Sequence, residues 1–399
     1  MPNDHTNHAP DAGALPEPDP AALAHSKRLC AQIRAEIDGG GGRITFRRFM
    51  ELALYAPGLG YYSAGSRKLG AAGDFVTAPE LSPLFSRCVA RAVYPVLREL
   101  ADGSVLEVGA GSGAMAVGVL QELEALHCLP QQYLILELSA ELRARQQQTL
   151  EAACPALLSR VHWAQELPDG FRGAVLANEV LDAMPAHRFT VRSGGVREQY
   201  VAWSDGFVAL DDVPCEPRIA ERVASIEASL GTALPKDYCS EINFTAEDWV
   251  RSVADGLAVG AVLLIDYGFP RHEYYHPQRH MGTLMCHYRH RVHGDPFVYP
   301  GLQDITAHVD FSAIADAAHD GGLGVAGYTT QGNFLIGSGL AELAADQQGD
   351  ERRRLQTANE VKKLTLPHEM GELFKVLVLT RGVSDALPAF ALRDMRARL

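Results

Sequence analysis

Residues 104–114 read SVLEVGAGSGA: an apolar run, then glycines at 109, 111 and 113, then the start of a helical pattern. A short apolar run without alternation is the signature of a strand covered on both faces. Glycines at its end let the backbone turn sharply and approach a ligand, and the helix that follows aims its free amides at the same place. Comparable apolar runs lie at 132–137, 160–164, 173–177 and 260–266, with helical segments near 113–126 and 139–152 between the first of them. Strand–helix–strand repetition predicts an α/β protein with a doubly wound, Rossmann-like sheet.

The alternation breaks after the fourth run. Residues 187–211 read as antiparallel strands around turns at Gly194–Gly195 and Asp205–Gly206, followed by helical stretches near 217–229 and 245–255. Residues 271–303 read as an irregular insert rich in His, Tyr and Arg. Regular structure returns with a helix near 311–320, a strand near 324–330, helices near 338–364 and a strand at 373–380. The expected organisation is a disordered leader at 1–20, a helical region at 21–100 broken at Gly39–Gly42, and a core at 101–399 with insertions at about 187–258 and 271–303.

Composition excludes some functions. Lys and Arg number 36 against 49 Asp and Glu, a net charge of -13, which argues against nucleic acid as a partner. The seven cysteines are scattered and never spaced C-x-x-C, as expected of reduced thiols in a cytoplasmic protein rather than a disulfide framework or zinc cage. No apolar run is long enough for membrane insertion, and the polar, proline-rich first twenty residues resemble neither a secretory nor a mitochondrial presequence. His272, His276, His280, His287, His290 and His293 crowd one segment. Pro277 interrupts them and no cysteine or acidic partner stands at matching spacing, so a polar lid or substrate-facing loop is expected there and no metal.

The glycine turn also carries ligand information. A dinucleotide fingerprint is G-x-G-x-x-G, fitted to a pyrophosphate. Here the turn is G-A-G-S-G, entered from Glu107. A carboxylate at a G-x-G-x-G turn suits S-adenosylmethionine, which has no phosphate and whose amine and sulfonium are cationic. Glu137 ends the next strand, where a carboxylate can accept both ribose hydroxyls. Nicotinamide folds use such an acid too. The bland alternative is that any tight strand-to-helix turn recruits glycine.

At this point ordered blocks accumulate: GDFVTAPELSPLF (73–85), LEVGAGSGAM (106–115), YLILELSAELRARQ (133–146), LANEVLDAMP (176–185), LIDYGFP (264–270), GTLMCHYRHR (282–291), DPFVYPGLQDITAHVDF (295–311), TQGNFL (330–335) and EMGELFKVL (369–377). Over about residues 49–382 the chain resembles the MidA-like S-adenosylmethionine-dependent methyltransferases, whose mitochondrial member is a complex I assembly factor that methylates arginine. The resemblance implies a class I methyltransferase-like sheet with an N-terminal helical extension and inserted substrate-facing segments. It also implies S-adenosylmethionine as methyl donor and S-adenosylhomocysteine as product. The implied partner is a protein substrate, a respiratory-complex subunit being one candidate, and a homodimer is compatible.

Residue roles follow. Gly73, Asp74 and Thr77 belong to a loop that, by the resemblance, folds over the cofactor. Glu107, Gly109, Gly111, Gly113 and Glu137 hold it, with Trp163 and Gln165 near the adenine, although a tryptophan there also suits a core. Asn178 stands beside the methyl donor, and Glu179 and Asp182 are the candidate catalytic carboxylates. A guanidinium is a poor nucleophile with a pKa above about 12, and paired carboxylates can localise its charge and fix its orientation. A structural account, compatible with this one, makes Asn178 a helix N-cap with the two acids in the first turn. Asp266 and Tyr267 end the fifth strand and are candidates to line the acceptor channel. Three other functions stay open: methylation of a small-molecule amine or hydroxyl, partner binding by an assembly protein that keeps the cofactor pocket, and oxidoreduction with a nicotinamide cofactor.

Overall fold

The computed structural model describes residues 15–64, 77–346, 351–385 and 387–399. They divide between two compact units. The described residues of Met1–Phe75, with Asp182–Ala246 and Phe269–Asp310, form one; those of Val76–Leu181, Glu247–Gly268 and Phe311–Leu399 form the other.

The second unit contains the doubly wound sheet. Its strands are β1 (Ser104–Val108), β2 (Tyr133–Leu136), β3 (Val161–Ala164), β4 (Phe171–Asn178), β5 (Leu257–Phe269), β6 (Gly324–Thr330) and β7 (Phe374–Arg381). They lie side by side in the order β3-β2-β1-β4-β5-β7-β6. The first five are mutually parallel, and β7 runs antiparallel between β5 and β6. Helices α1 (Ala114–Ala125) and α2 (Ala140–Ala153) provide the crossovers from β1 to β2 and from β2 to β3. The strand order reverses between β1 and β4, and ligands of open α/β sheets bind outside the carboxyl ends of strands at such a switch point. Every residue of β1 is buried, as the unbroken apolar run requires. The amphipathic helix Pro83–Leu100 packs against α1, and the buried Glu122 of α1 accepts bonds from Arg87 and Arg91 at 2.6 and 2.7 Å. That pairing fixes the helix the glycine turn opens.

The first unit is built on antiparallel pairing. Strands His187–Arg192, Gly195–Trp203 and Phe207–Asp212 form a meander around the two turns read from the sequence. Cys239–Ile242 pairs with its first strand, and Arg43–Thr45 pairs with its second. Helix Pro20–Gly39 starts at Asp19, whose carboxylate accepts from the amides of Ala21 and Ala22, and ends at the glycine run. Its Leu29, Ile33 and Ile37, four residues apart, join Phe46, Phe49 and Val201 in one buried cluster. Among the described residues no helix is long and apolar enough to cross a membrane.

Candidate active site

The glycine turn leaves β1 with Gly109, Gly111 and Gly113 at φ of 66°, 55° and 87°. Three left-handed residues in five positions explain why glycine recurs there, since a Cβ would cost roughly 1–2 kcal/mol at each. The Gly109 amide donates to the Leu136 carbonyl at 3.1 Å, tying the turn to the end of β2. Ser112, inside the turn, donates its hydroxyl to Glu80 of the short helix Ala78–Leu81. Thr77 is the N-cap residue of that helix and makes no side-chain capping bond. Gly73 and Asp74 lie outside the described residues.

Glu107 is buried, and the Tyr133 hydroxyl donates to it at 2.5 Å. The cross-strand register pairs Glu107 with Ile135, so Tyr133 stands two residues along the same face of the sheet. Burial pushes the Glu107 carboxyl up to about 7, against the opposing pull of the Tyr133 bond. The group therefore changes charge near neutrality.

At the end of β2 the side chains are densely cross-linked. Glu137 is buried, and its oxygens accept from the Ser139 amide at 2.8 Å and the Gln146 side-chain amide at 3.1 Å. Trp163, half-buried in β3, donates its indole N–H to Gln146 at 2.9 Å. Gln165 is exposed just beyond β3. Gln146 and Tyr133 were not singled out as site residues from the sequence. Both fall within the 133–146 block, and the available signal was a glutamine four residues before Leu150 on the buried side of α2.

At the end of β4 the chain does not enter a helix, so the capping account of Asn178 fails. Glu179 instead takes a left-handed φ of 54°, and its amide donates to the Ile265 carbonyl at 2.9 Å. The Leu181 amide donates to the Asp266 carboxylate at 3.0 Å, and the other Asp266 oxygen accepts from the Tyr267 amide at 2.9 Å. Asp266 is fully buried and acts here as the brace of the turn. Asn178 donates its side-chain amide to Glu179 at 3.2 Å, while its Oδ1 is buried and has no donor among the described residues. A buried acceptor left open at this end of the sheet, beside a turn held in a rare conformation, fits a ligand that brings its own donors.

Asp182 belongs to the other unit. It is buried, and its carbonyl accepts from the Ala307 amide at 2.9 Å. In the same unit Tyr55 donates to the Ala183 carbonyl at 3.0 Å and stacks on Tyr62, ring centroids 5.5 Å apart. Tyr62 donates in turn to both oxygens of the buried Asp304, at 2.9 and 3.0 Å. Of the clustered histidines, His293 is buried, which pulls its pKa down. Among the described residues it is His187, Glu198 and Cys215 that bring metal-type donor atoms within 4.8 Å of one another. Their contacts are hydrogen bonds that converge on Glu198. Glu198 accepts from His187 Nδ1 at 2.8 Å and from the Cys215 amide at 2.7 Å. Burial pushes the Glu198 carboxyl up, but those bonds outweigh it and hold it below its ordinary value.

Comparisons with known proteins agree with this fold and with its cofactor. A structure from Burkholderia thailandensis, a COG1565 superfamily member bound to S-adenosyl-homocysteine, is 49% identical, covers 97% of this chain and 100% of its own, and superposes with a TM-score of 0.93. Curated relatives include the "Protein arginine methyltransferase NDUFAF7 homolog, mitochondrial" of Drosophila melanogaster, 28% identical over 93% of this chain and 89% of its own. The "Protein arginine methyltransferase NDUFAF7, mitochondrial" of Danio rerio is 29% identical over 88% of this chain and 85% of its own. The fold is therefore the Rossmann-like class I fold, and the cofactor is S-adenosylmethionine. The family profile described as "Putative S-adenosyl-L-methionine-dependent methyltransferase" matches residues 88–329, and the chain belongs to that family.

Proposed function

We propose that the chain methylates an arginine guanidinium of a partner protein, with Glu179 as the carboxylate that receives the guanidinium. The cofactor supplies a methyl group already activated on a sulfonium. The protein's part is then to hold the acceptor, localise its charge and leave one nitrogen free to attack. Gly109, Gly111, Gly113, Glu107, Glu137, Trp163 and Asn178 are the proposed cofactor residues, joined by Gln165 and Thr77 at the rim.

The observation that carries this reading is Glu179. A glutamate held at φ 54° costs on the order of 1–3 kcal/mol, and the chain sustains it with bonds from Glu179 and Leu181 to β5. A carboxylate fixed this way, with Asn178 donating to it, is prepared for bidentate pairing with a planar cation. The relatives named as protein arginine methyltransferases support the choice of acceptor. A respiratory-complex subunit is the proposed substrate class, following the family resemblance, and the cytoplasm the proposed compartment.

The test is label transfer. The purified chain is incubated with methyl-labelled S-adenosylmethionine and an extract from cells lacking it, and digested proteins are read by mass spectrometry. Methylarginine in a small set of proteins, absent with Glu179→Gln, is the expected result. Label confined to small molecules would give the acceptor to that class instead. No label, together with cellular rescue by Glu179→Gln, would make the chain an assembly protein.

A further inference from the structure

We propose that Gln146 is the positioning residue of the adenosine side: one side-chain amide sets the glycine turn, the ribose carboxylate and the adenine-side indole in register. The inference rests on Glu137 and Trp163 facing the adenosine.

Gln146 is fully buried in the middle of α2. Its Nε2 lies 3.1 Å from the Gly111 carbonyl and 3.1 Å from Glu137 Oε2, and its Oε1 accepts from Trp163 Nε1 at 2.9 Å. The chemistry of the partners fixes which end of the amide is which. A carbonyl and a carboxylate only accept, and an indole only donates. Two N–H groups and one carbonyl oxygen are required at this point, and among the amino acids only a primary amide offers them. The Gln146 backbone also fills the space in front of Gly113, where a Cβ would come within 3.3 Å of the Gln146 Cα. The residue thus touches the turn twice, once through its side chain and once through its main chain.

Two consequences follow for the cofactor. The Glu137 carboxylate is held by Ser139 on one oxygen and Gln146 on the other, which sets its plane and leaves further lone pairs for a pair of vicinal hydroxyls. Burial raises the Glu137 pKa, and the bonds from Ser139 and Gln146, with the charge of Arg143, work to keep it ionised. Gln146 therefore acts on both the orientation and the charge of its neighbour without touching the ligand.

The experiment compares Gln146→Glu, Gln146→Leu, Trp163→Phe and, as a control on the premise, Glu137→Gln. The readout is affinity for S-adenosylhomocysteine and for adenosine by calorimetry, each as a ratio to the wild type at the same pH. In Gln146→Glu a second carboxylate faces Glu137 above neutrality; at low pH its proton can donate to Glu137 while its carbonyl still accepts from Trp163. The expected result is binding more than tenfold weaker at pH 8 and within about threefold of the wild type at pH 5.5. Gln146→Leu should be weak at both. Trp163→Phe keeps an aromatic side chain, removes the donor and should cost about threefold for both ligands. It decides the matter if the Gln146 variants do not fold. A Gln146→Glu ratio that is the same at both pH values, or Trp163→Phe binding at wild-type strength, would overturn the proposal. Full affinity in Glu137→Gln would instead remove the premise that this carboxylate meets the ribose.

Discussion

The carboxyl ends of β2 and β4 belong to one sheet and are built in opposite ways. At β2 the donors and acceptors of Glu137, Gln146 and Trp163 satisfy one another, and burial is nearly complete at Glu137 and Gln146. At β4 the backbone is held in a rare conformation at Glu179, and the Asn178 oxygen is buried with no donor among the described residues. The first arrangement suits recognition of a ligand of constant shape, because nothing needs to move. The second suits chemistry, because capacity is left for groups that arrive with the substrates. The separation predicts that binding and transfer can be damaged independently.

The largest effect should come from the β4 end. Glu179→Gln is expected to lower the methyl-transfer rate by about 10²–10³, the usual cost of losing one charge-stabilising group, with S-adenosylhomocysteine affinity within about twofold of the wild type. Gly113→Ala attacks the glycine turn beyond β1, against which Gln146 packs. It places a side chain at φ 87° and 3.3 Å from the Gln146 Cα, so melting should fall and calorimetry should show binding more than tenfold weaker.

A third effect depends on pH. The Glu107 carboxyl is raised to about 7 by burial, so this group contributes stability that is present below its ordinary range and lost as pH rises through about 7. A cationic ligand favours the ionised form and reverses that cost. Titrations of S-adenosylmethionine should show affinity rising about tenfold from pH 6 to pH 8 as a proton is released, flattening above 8. A flat profile would mean that Glu107 does not respond to the ligand's charge. The smallest effect is Asn178→Ala, which removes one donor to Glu179 and should slow transfer about fivefold, near the net worth of one hydrogen bond.

The centre of the sheet was legible because β1, β4, β5 and β7 are buried along most of their length and so appear as apolar runs. The expected 104–108 matches Ser104–Val108, and the two turns of the meander fall where glycines require them. Boundaries were less visible where partners lie far away. The 260–266 run extends to Leu257–Phe269 because β4 and β7 flank it on both sides. Strand Arg43–Thr45 exists only through pairing with Tyr200–Ala202, and no three-residue pattern could announce it. Within 338–364 the regular structure is two helices, Leu340–Ala345 and Glu351–Thr365. At the site, the glycine turn and Glu137 could be read from residue type and spacing. Gln146 could not, since its role comes from three partners on three different segments. The turn after Asn178 looked like a helix start because its residues suit one. Bonds to Ile265 and Asp266, more than eighty positions along, hold it otherwise.

The separation of binding from chemistry is tested most directly by measuring two quantities on one preparation of Glu179→Gln: S-adenosylhomocysteine affinity by calorimetry, and single-turnover transfer of labelled methyl to a protein arginine. Affinity at the wild-type level with transfer reduced at least a hundredfold is the predicted result. Transfer at the wild-type rate, or affinity and transfer falling together, would contradict it.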